Sequence, residues 1–149
     1  PFQMGTSIDE KNIESLMESS PTLSSVYKYI MIVDDEPDIL NLYMDYLQME
    51  GLKVRTFEDP IQALSEIKIN HSSYCMIVSD IRMPQMSGIE FIKRVNKIDS
   101  KLDVIFMTAF DLEHDKIKEV DKAEFLKKPV KLENLRECII RILESRAQK

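Results

Sequence analysis

Tyr29-Ile30-Met31-Ile32-Val33-Asp34-Asp35-Glu36 is the stretch on which the fold turns. Its near-continuous apolar run reads as a strand with both faces covered, as in a parallel sheet, and it stops where the acidic triplet begins. A second run, Cys75-Met76-Ile77-Val78-Ser79, ends in the same way at Asp80. Carboxylates at the tips of buried strands repel one another and lose hydration, so they are costly unless something binds them. An oxygen-seeking divalent cation is the simplest compensation.

Outward from these two runs, the pattern repeats. Strands are predicted at Tyr29–Val33, Lys53–Phe57, Cys75–Ser79, Val104–Thr108 and Glu124–Lys127. Helical spacing falls between and after them, over Pro37–Glu50, Pro60–Asn70, Ser87–Ile98, Leu112–Val120 and Leu132–Ser145. Pro37 and Pro60 open helices, and Gly51 closes the first. Strands alternating with helices require right-handed crossovers, and a doubly wound five-stranded α/β sheet in the order 2-1-3-4-5 covers both faces. Its ligands bind beyond the carboxyl ends of the strands, where the winding reverses, here between Val33 and Ser79.

Asp34, Asp35 and Asp80 are thereby expected to converge on one shallow pocket. Small oxygen ligands accessible to water suit Mg2+, and Mn2+ is expected to substitute. The fourth strand adds the hydroxyl of Thr108 and the fifth leads to Lys128 and Pro129. Strand alternation points Lys128 inward and Lys127 outward. Carboxylates, a hydroxyl and an ammonium together suit the acceptance of a phosphoryl group, with Asp80 as nucleophile and Thr108 and Lys128 on the phosphoryl oxygens.

On the motifs Ile32-Val33-Asp34-Asp35-Glu36, Asp80-Ile81-Arg82-Met83-Pro84-Gln85-Met86-Ser87-Gly88, Met107-Thr108-Ala109 and Lys128-Pro129, the chain resembles the receiver domains of two-component response regulators. The resemblance covers about Lys28 to Ser145. It implies a flavodoxin-like fold and a phosphoryl-accepting switch rather than a true enzyme, reset by slow self-catalysed hydrolysis. Asp34 and Asp35 then resemble the acidic metal-binding pair, Asp80 the phospho-acceptor, and the backbone carbonyl of Arg82 a further metal ligand. Thr108 and Lys128 resemble the switch hydroxyl and the phosphate-binding lysine, and Phe125 the switch aromatic. Glu36 is a secondary candidate at the pocket rim. Implied partners are a sensor histidine kinase or histidine phosphotransfer protein. A change in the surface of the fourth helix, fifth strand and fifth helix is implied on phosphorylation, and a homodimer through that surface is one expectation.

Two features depart from the common pattern. Phe125 lacks a phenolic hydroxyl, so any coupling through it rests on packing. The span from Thr108 to Lys128 is short, leaving a fourth helix of about two turns.

Blander readings stand beside these. Asp34 and Asp35 suit a helix cap before Pro37, Asp80 a turn before Pro84, Thr108 an ordinary strand end and Phe125 an ordinary core position. A phosphohydrolase with Asp34 as nucleophile and Glu36 as second acid is a competing enzyme reading. A binding module that has lost phosphorylation is a third. A nucleotide or flavin site is disfavoured, because Gly5, Gly51 and Gly88 are the only glycines and build neither GxGxxG nor a Walker loop.

The 149 residues suit one domain. A net charge of -6 argues against an electrostatic grip on nucleic acid. No apolar stretch reaches the roughly 18 residues that span a bilayer, and a cytoplasmic chain is expected. Cys75 and Cys138 lack ligand spacing and read as reduced core thiols, while His71 and His114 read as surface residues. Residues 1–28 read as an N-terminal extension with a capping box at Ser7-Ile8-Asp9-Glu10 and a short amphipathic helix, and 29–146 as the receiver unit. The chain begins at Pro1, so Met4 is expected nearer a natural start. Stand-alone receiver, relay intermediate and excised piece of a longer protein all remain open.

Overall fold

A computed structural model describes residues 28–109, 120 and 122–147. The elements are β1 (Tyr29–Val33), α1 (Pro37–Met49), β2 (Val54–Phe57), α2 (Pro60–Asn70), β3 (Tyr74–Asp80), α3 (Gly88–Ile98), β4 (Asp103–Thr108), β5 (Ala123–Lys127) and α4 (Leu132–Ala147). The five strands pair in parallel in the order β2-β1-β3-β4-β5, as the alternation predicts. Four α-helices are found among the described residues rather than five, because all of the expected Leu112–Val120 helix except Val120 lies outside them. The expected N-terminal helix and His114 also lie outside them.

The apolar runs are explained by packing on both sides of the sheet. Met31, Val33, Ile77 and Phe106 face a core completed by Leu64 and Ile67 of α2 and by Phe91, Ile92 and Val95 of α3. Their neighbours Ile30, Ile32, Val78, Ile105 and Met107 face the opposite core, against Leu40, Tyr43 and Leu47 of α1 and Leu135, Ile139 and Leu143 of α4. A strand buried on both faces has no position for a solvated side chain, so its sequence does not alternate. Each large apolar side chain so buried contributes about 1.5–3 kcal/mol relative to exposure.

Local chemistry sets the helix ends. Pro37 and Pro60 sit in first turns, where their missing N–H costs no hydrogen bond. The Asp59 side chain accepts from the Ile61 amide at 2.8 Å, and Ser87 Oγ accepts from the Glu90 amide at 3.1 Å. Gly51 terminates α1 at φ 86°, a left-handed conformation that disfavours a side chain.

β3 is longer than its apolar run suggests. Tyr74 enters the core because its hydroxyl donates to Glu66 Oε2 at 2.6 Å, which satisfies its polar end. Asp80 belongs to the strand itself and pairs in register with Met107. His71 is also more engaged than expected, with Nδ1 lying 2.9 Å from Asp99 Oδ2.

Both cysteines are free and buried. Burial pushes the Cys75 thiol up to about 11, and its Sγ contacts the Tyr29 carbonyl at 3.6 Å. Cys75 is therefore expected to resist iodoacetamide in the folded protein at pH 8 and to react in urea, which mass spectrometry of the digested chain reads directly. The folded value lies above the unfolded one, so this thiol's contribution is complete below the unfolded pKa. It is lost as pH rises from there through about 11.

Candidate functional site

The acidic side chains gather where β1 and β3 end. Asp34 follows β1 directly, is 0% exposed, and its amide donates to the Phe57 carbonyl at 3.1 Å. Its Oδ1 accepts from the Glu36 amide at 3.0 Å, and its Oδ2 from Lys128 Nζ at 3.2 Å. Asp80, the last residue of β3, is 6% exposed. Its Oδ1 accepts from the Arg82 amide at 3.3 Å, and its Oδ2 from Lys128 Nζ at 2.9 Å. Asp35 is exposed, yet one carboxylate oxygen from each of Asp34, Asp35 and Asp80 lies within 4.8 Å of the other two.

The ammonium arrives from the far side of the sheet. β5 ends at Lys127, in register with Thr108, and the Lys128 amide donates to the Thr108 carbonyl at 2.7 Å. Lys127 is exposed while Lys128 turns into the carboxylates, as the strand parity predicts. Thr108 ends β4 and is 9% exposed. A cleft of about 270 Å³ opens here, lined by Asp35, Glu36, Asp80, Arg82, Thr108, Ala109 and Lys128. Asp34 lies beneath it.

Electrostatics follow from that burial. Desolvation pushes the Asp34 carboxyl above the usual aspartate value, although the Glu36 amide and the Lys128 charge act against it. For Lys128, burial acts to lower the value, but the hydrogen bond to Asp80 and the charges of Asp34 and Asp80 outweigh it. Its ammonium therefore titrates above the usual lysine value. One lysine thus serves two nearly buried carboxylates. All-oxygen donors of low bulk, open to water on one side, fit a hard cation such as Mg2+.

The remaining sequence candidates are placed as follows. Arg82 lines the cleft and holds Asp80 through its amide. Glu36 is exposed at the rim and precedes α1 as its cap residue without a side-chain capping bond. Phe125 does not line the cleft; it is partly buried and stacked on Phe106, with ring centroids 5.5 Å apart and an interplanar angle of 27°. Phe106 was not a sequence candidate. Its signal was available, because it precedes Thr108 by two positions and therefore shares its strand face, and parallel register sets it opposite Phe125.

The loop after Asp80 folds back tightly. The Gly88 amide donates to the Ile81 carbonyl at 2.8 Å, and a Cβ at Gly88 would overlap the Asp80 carbonyl oxygen. The obstruction is backbone, which cannot swing aside. Gly88→Ala is expected to lower stability by about 1–3 kcal/mol, read as a fall in the urea midpoint.

Comparison with known proteins agrees with this architecture. Residues 30–140 match the family described as the response regulator receiver domain. The chain is 32% identical over 103 residues to the response regulator SaeR of Staphylococcus epidermidis, covering 68% of this chain and 44% of that protein. It is 31% identical over 116 residues to SaeR of Staphylococcus aureus, covering 76% and 48%. The chain thus spans about half the length of the curated relatives it matches. Among solved structures, chemotaxis protein CheY4 of Vibrio cholerae superposes with a TM-score of 0.70 at 27% identity, covering 76% of this chain and 97% of that one. A CheY-like receiver domain protein from Methanospirillum hungatei gives 0.74 at 25% identity, covering 81% and 97%. With the parallel sheet, the acidic pocket and a family match over 30–140 in agreement, the chain belongs to the response regulator receiver domain family.

Proposed function

We propose that this chain is a phosphoryl-accepting signalling switch in which Asp80 is the acceptor. The observation that carries the reading is the convergence of Asp34, Asp35 and Asp80 within 4.8 Å, with Lys128 Nζ bonded to two of them. Asp34, Asp35, Asp80 and the backbone carbonyl of Arg82 would hold Mg2+, or Mn2+ in its place. When bound, the cation supplies charge neutralisation at the phosphoryl oxygens.

The chain's own groups do the rest. A carboxylate oxygen of Asp80 forms the new P–O bond as the P–N bond of a phosphohistidine on a sensor kinase or phosphotransfer protein breaks and the imidazole leaves. Lys128 lies within reach to follow the incoming negative charge, and Thr108 offers its hydroxyl from the adjacent strand end. Water attacking phosphorus later restores the carboxylate and releases inorganic phosphate. The added charge of about −1.5 to −2 favours the arrangement in which Thr108 and Lys128 contact it. Phe125 would answer through its stack on Phe106, since it has no hydroxyl to exchange. The surface changed would be that of the fourth helix expected from the sequence, β5 and α4, and a homodimer would use the same surface. Residues 29–146 would form the switch and 1–28 an extension to it, within the cytoplasm.

A phosphohydrolase using Asp34 is less well supported. Asp34 is fully buried and does not line the cleft, while Asp80 does. The net charge of -6 disfavours direct DNA contact by this chain. No helix among the described residues is long and apolar enough to cross a membrane.

Incubation with acetyl phosphate and Mg2+ tests the proposal. A mass gain of one phosphoryl group, abolished by chelating the metal, is expected. Absence of modification and of any beryllofluoride response under all metal conditions would overturn it.

A further inference from the structure

The acceptor aspartate is held by its backbone as well as by its carboxylate. Ser79, 0% exposed and next to Asp80, turns its Oγ onto the Asp80 carbonyl and donates to it at 2.8 Å. The same carbonyl oxygen is the atom that a Cβ at Gly88 would strike, so α3 begins in direct contact with it. Immediately beyond, Gly88 N–H closes on the Ile81 carbonyl at 2.8 Å, and Arg82 N–H reaches back to Asp80 Oδ1 at 3.3 Å. Ser79 thus fixes the first peptide of a folded-back loop whose third residue bonds the carboxylate.

We infer that Ser79 is a positioning residue for the acceptor, acting through the Asp80 peptide to aim the carboxylate and the Arg82 backbone at the cleft. The inference rests on Asp80 being the acceptor. A buried carbonyl that loses its donor must find another or accept a cost, and the nearest way to find one is rotation of this peptide. Rotation would move Arg82 N–H away from Oδ1. Ser79 itself does not line the cleft and reaches it only through the Asp80 carbonyl. Its effect should therefore appear in acceptor geometry rather than in chemistry of its own.

The test compares wild type, Ser79→Ala and Ser79→Thr in the full chain. Three readouts are taken: the rate of phosphorylation by acetyl phosphate at saturating Mg2+, the Mg2+ dissociation constant, and the Arg82 amide proton shift in metal-free protein. Ser79→Ala is expected to slow phosphorylation on the order of tenfold, weaken Mg2+ binding and move the Arg82 amide upfield, with Ser79→Thr restoring the rate. If the threonine methyl prevents folding, Ser79→Cys, with its weak S–H donor, is expected to fall between wild type and alanine.

A Ser79→Ala protein that melts lower yet keeps the wild-type rate, Mg2+ affinity and Arg82 shift overturns the inference, leaving Ser79 a structural residue. If wild type takes no phosphoryl group, the acceptor reading fails and the inference falls with it. The wild-type control separates that outcome from failure of the Ser79 role alone.

Discussion

Asp80→Ala is expected to abolish phosphoryl uptake from acetyl phosphate, a loss of at least about a thousandfold that takes the signal to the detection limit. The protein should still fold. Asp80 sits at the end of β3, where alanine keeps the backbone pairing with Met107, and Lys128 retains Asp34 as a partner. Asp34→Ala should slow uptake without ending it, because Asp34 lies below the cleft and supports rather than attacks. The phosphohydrolase reading demands the reverse order: turnover of phosphate esters surviving Asp80→Ala but not Asp34→Ala. Intact-mass spectrometry and a phosphate-release assay on the two variants separate the readings.

Lys128→Met should carry the second large effect, on stability as well as uptake. Its Nζ bonds Asp34 and Asp80 at 3.2 and 2.9 Å, and their side chains are 0% and 9% exposed. Removing one member of a buried ion-paired group leaves the remaining charge uncompensated, at a cost of about 3–5 kcal/mol. The urea midpoint in metal-free buffer at pH 8 should fall accordingly, with the slope unchanged. Added Mg2+ should recover part of the loss, since the same carboxylates would hold it.

Acid should also recover part of it, and the sign follows from Asp34. Burial already raises its folded pKa above the unfolded value, and loss of the lysine charge raises it further. The stability associated with neutral Asp34 is therefore complete below the unfolded aspartate value and is lost as pH rises through the raised folded one. The variant's deficit is expected to shrink as pH falls toward the unfolded aspartate value. Lys128 adds a limit of the same sign at alkaline pH in wild type. Its folded value lies above the usual lysine value, so its contribution persists below the unfolded pKa and disappears as strongly alkaline pH passes the folded one. An unchanged urea midpoint in metal-free buffer at pH 8 would mean that the Lys128 ammonium does not support these carboxylates.

Much of the site was legible because strands have a parity and a direction. Once Tyr29–Val33 and the run before Asp80 are strands of one parallel sheet, Asp34 and Asp80 must lie at the same edge. The same parity turns Lys128 inward and Lys127 outward. The helical spacing of Leu132, Leu135, Ile139, Ile142 and Leu143 likewise marks the face of α4 that packs on the core, the first and fourth of them only partly buried. Where the reading fell short, a polar group had found a partner distant in sequence. Tyr74 joins β3 because Glu66 accepts its hydroxyl, and His71 is tied to Asp99 across 28 positions.

The sequence alone therefore determined the strand order, the edge at which the carboxylates meet and the identity of the groups that meet there. Hydrophobic period and chain direction are local properties that each segment states for itself. Only the tertiary structure decided that Asp34 lies buried while Asp35 is exposed, that a single lysine bridges Asp34 and Asp80, that Phe125 rests on Phe106, and that the Ser79 hydroxyl bonds the Asp80 carbonyl. These depend on which side chain fills a given volume and which donor reaches a given oxygen. Such matters are settled by packing among segments far apart in the chain, and no segment carries them by itself.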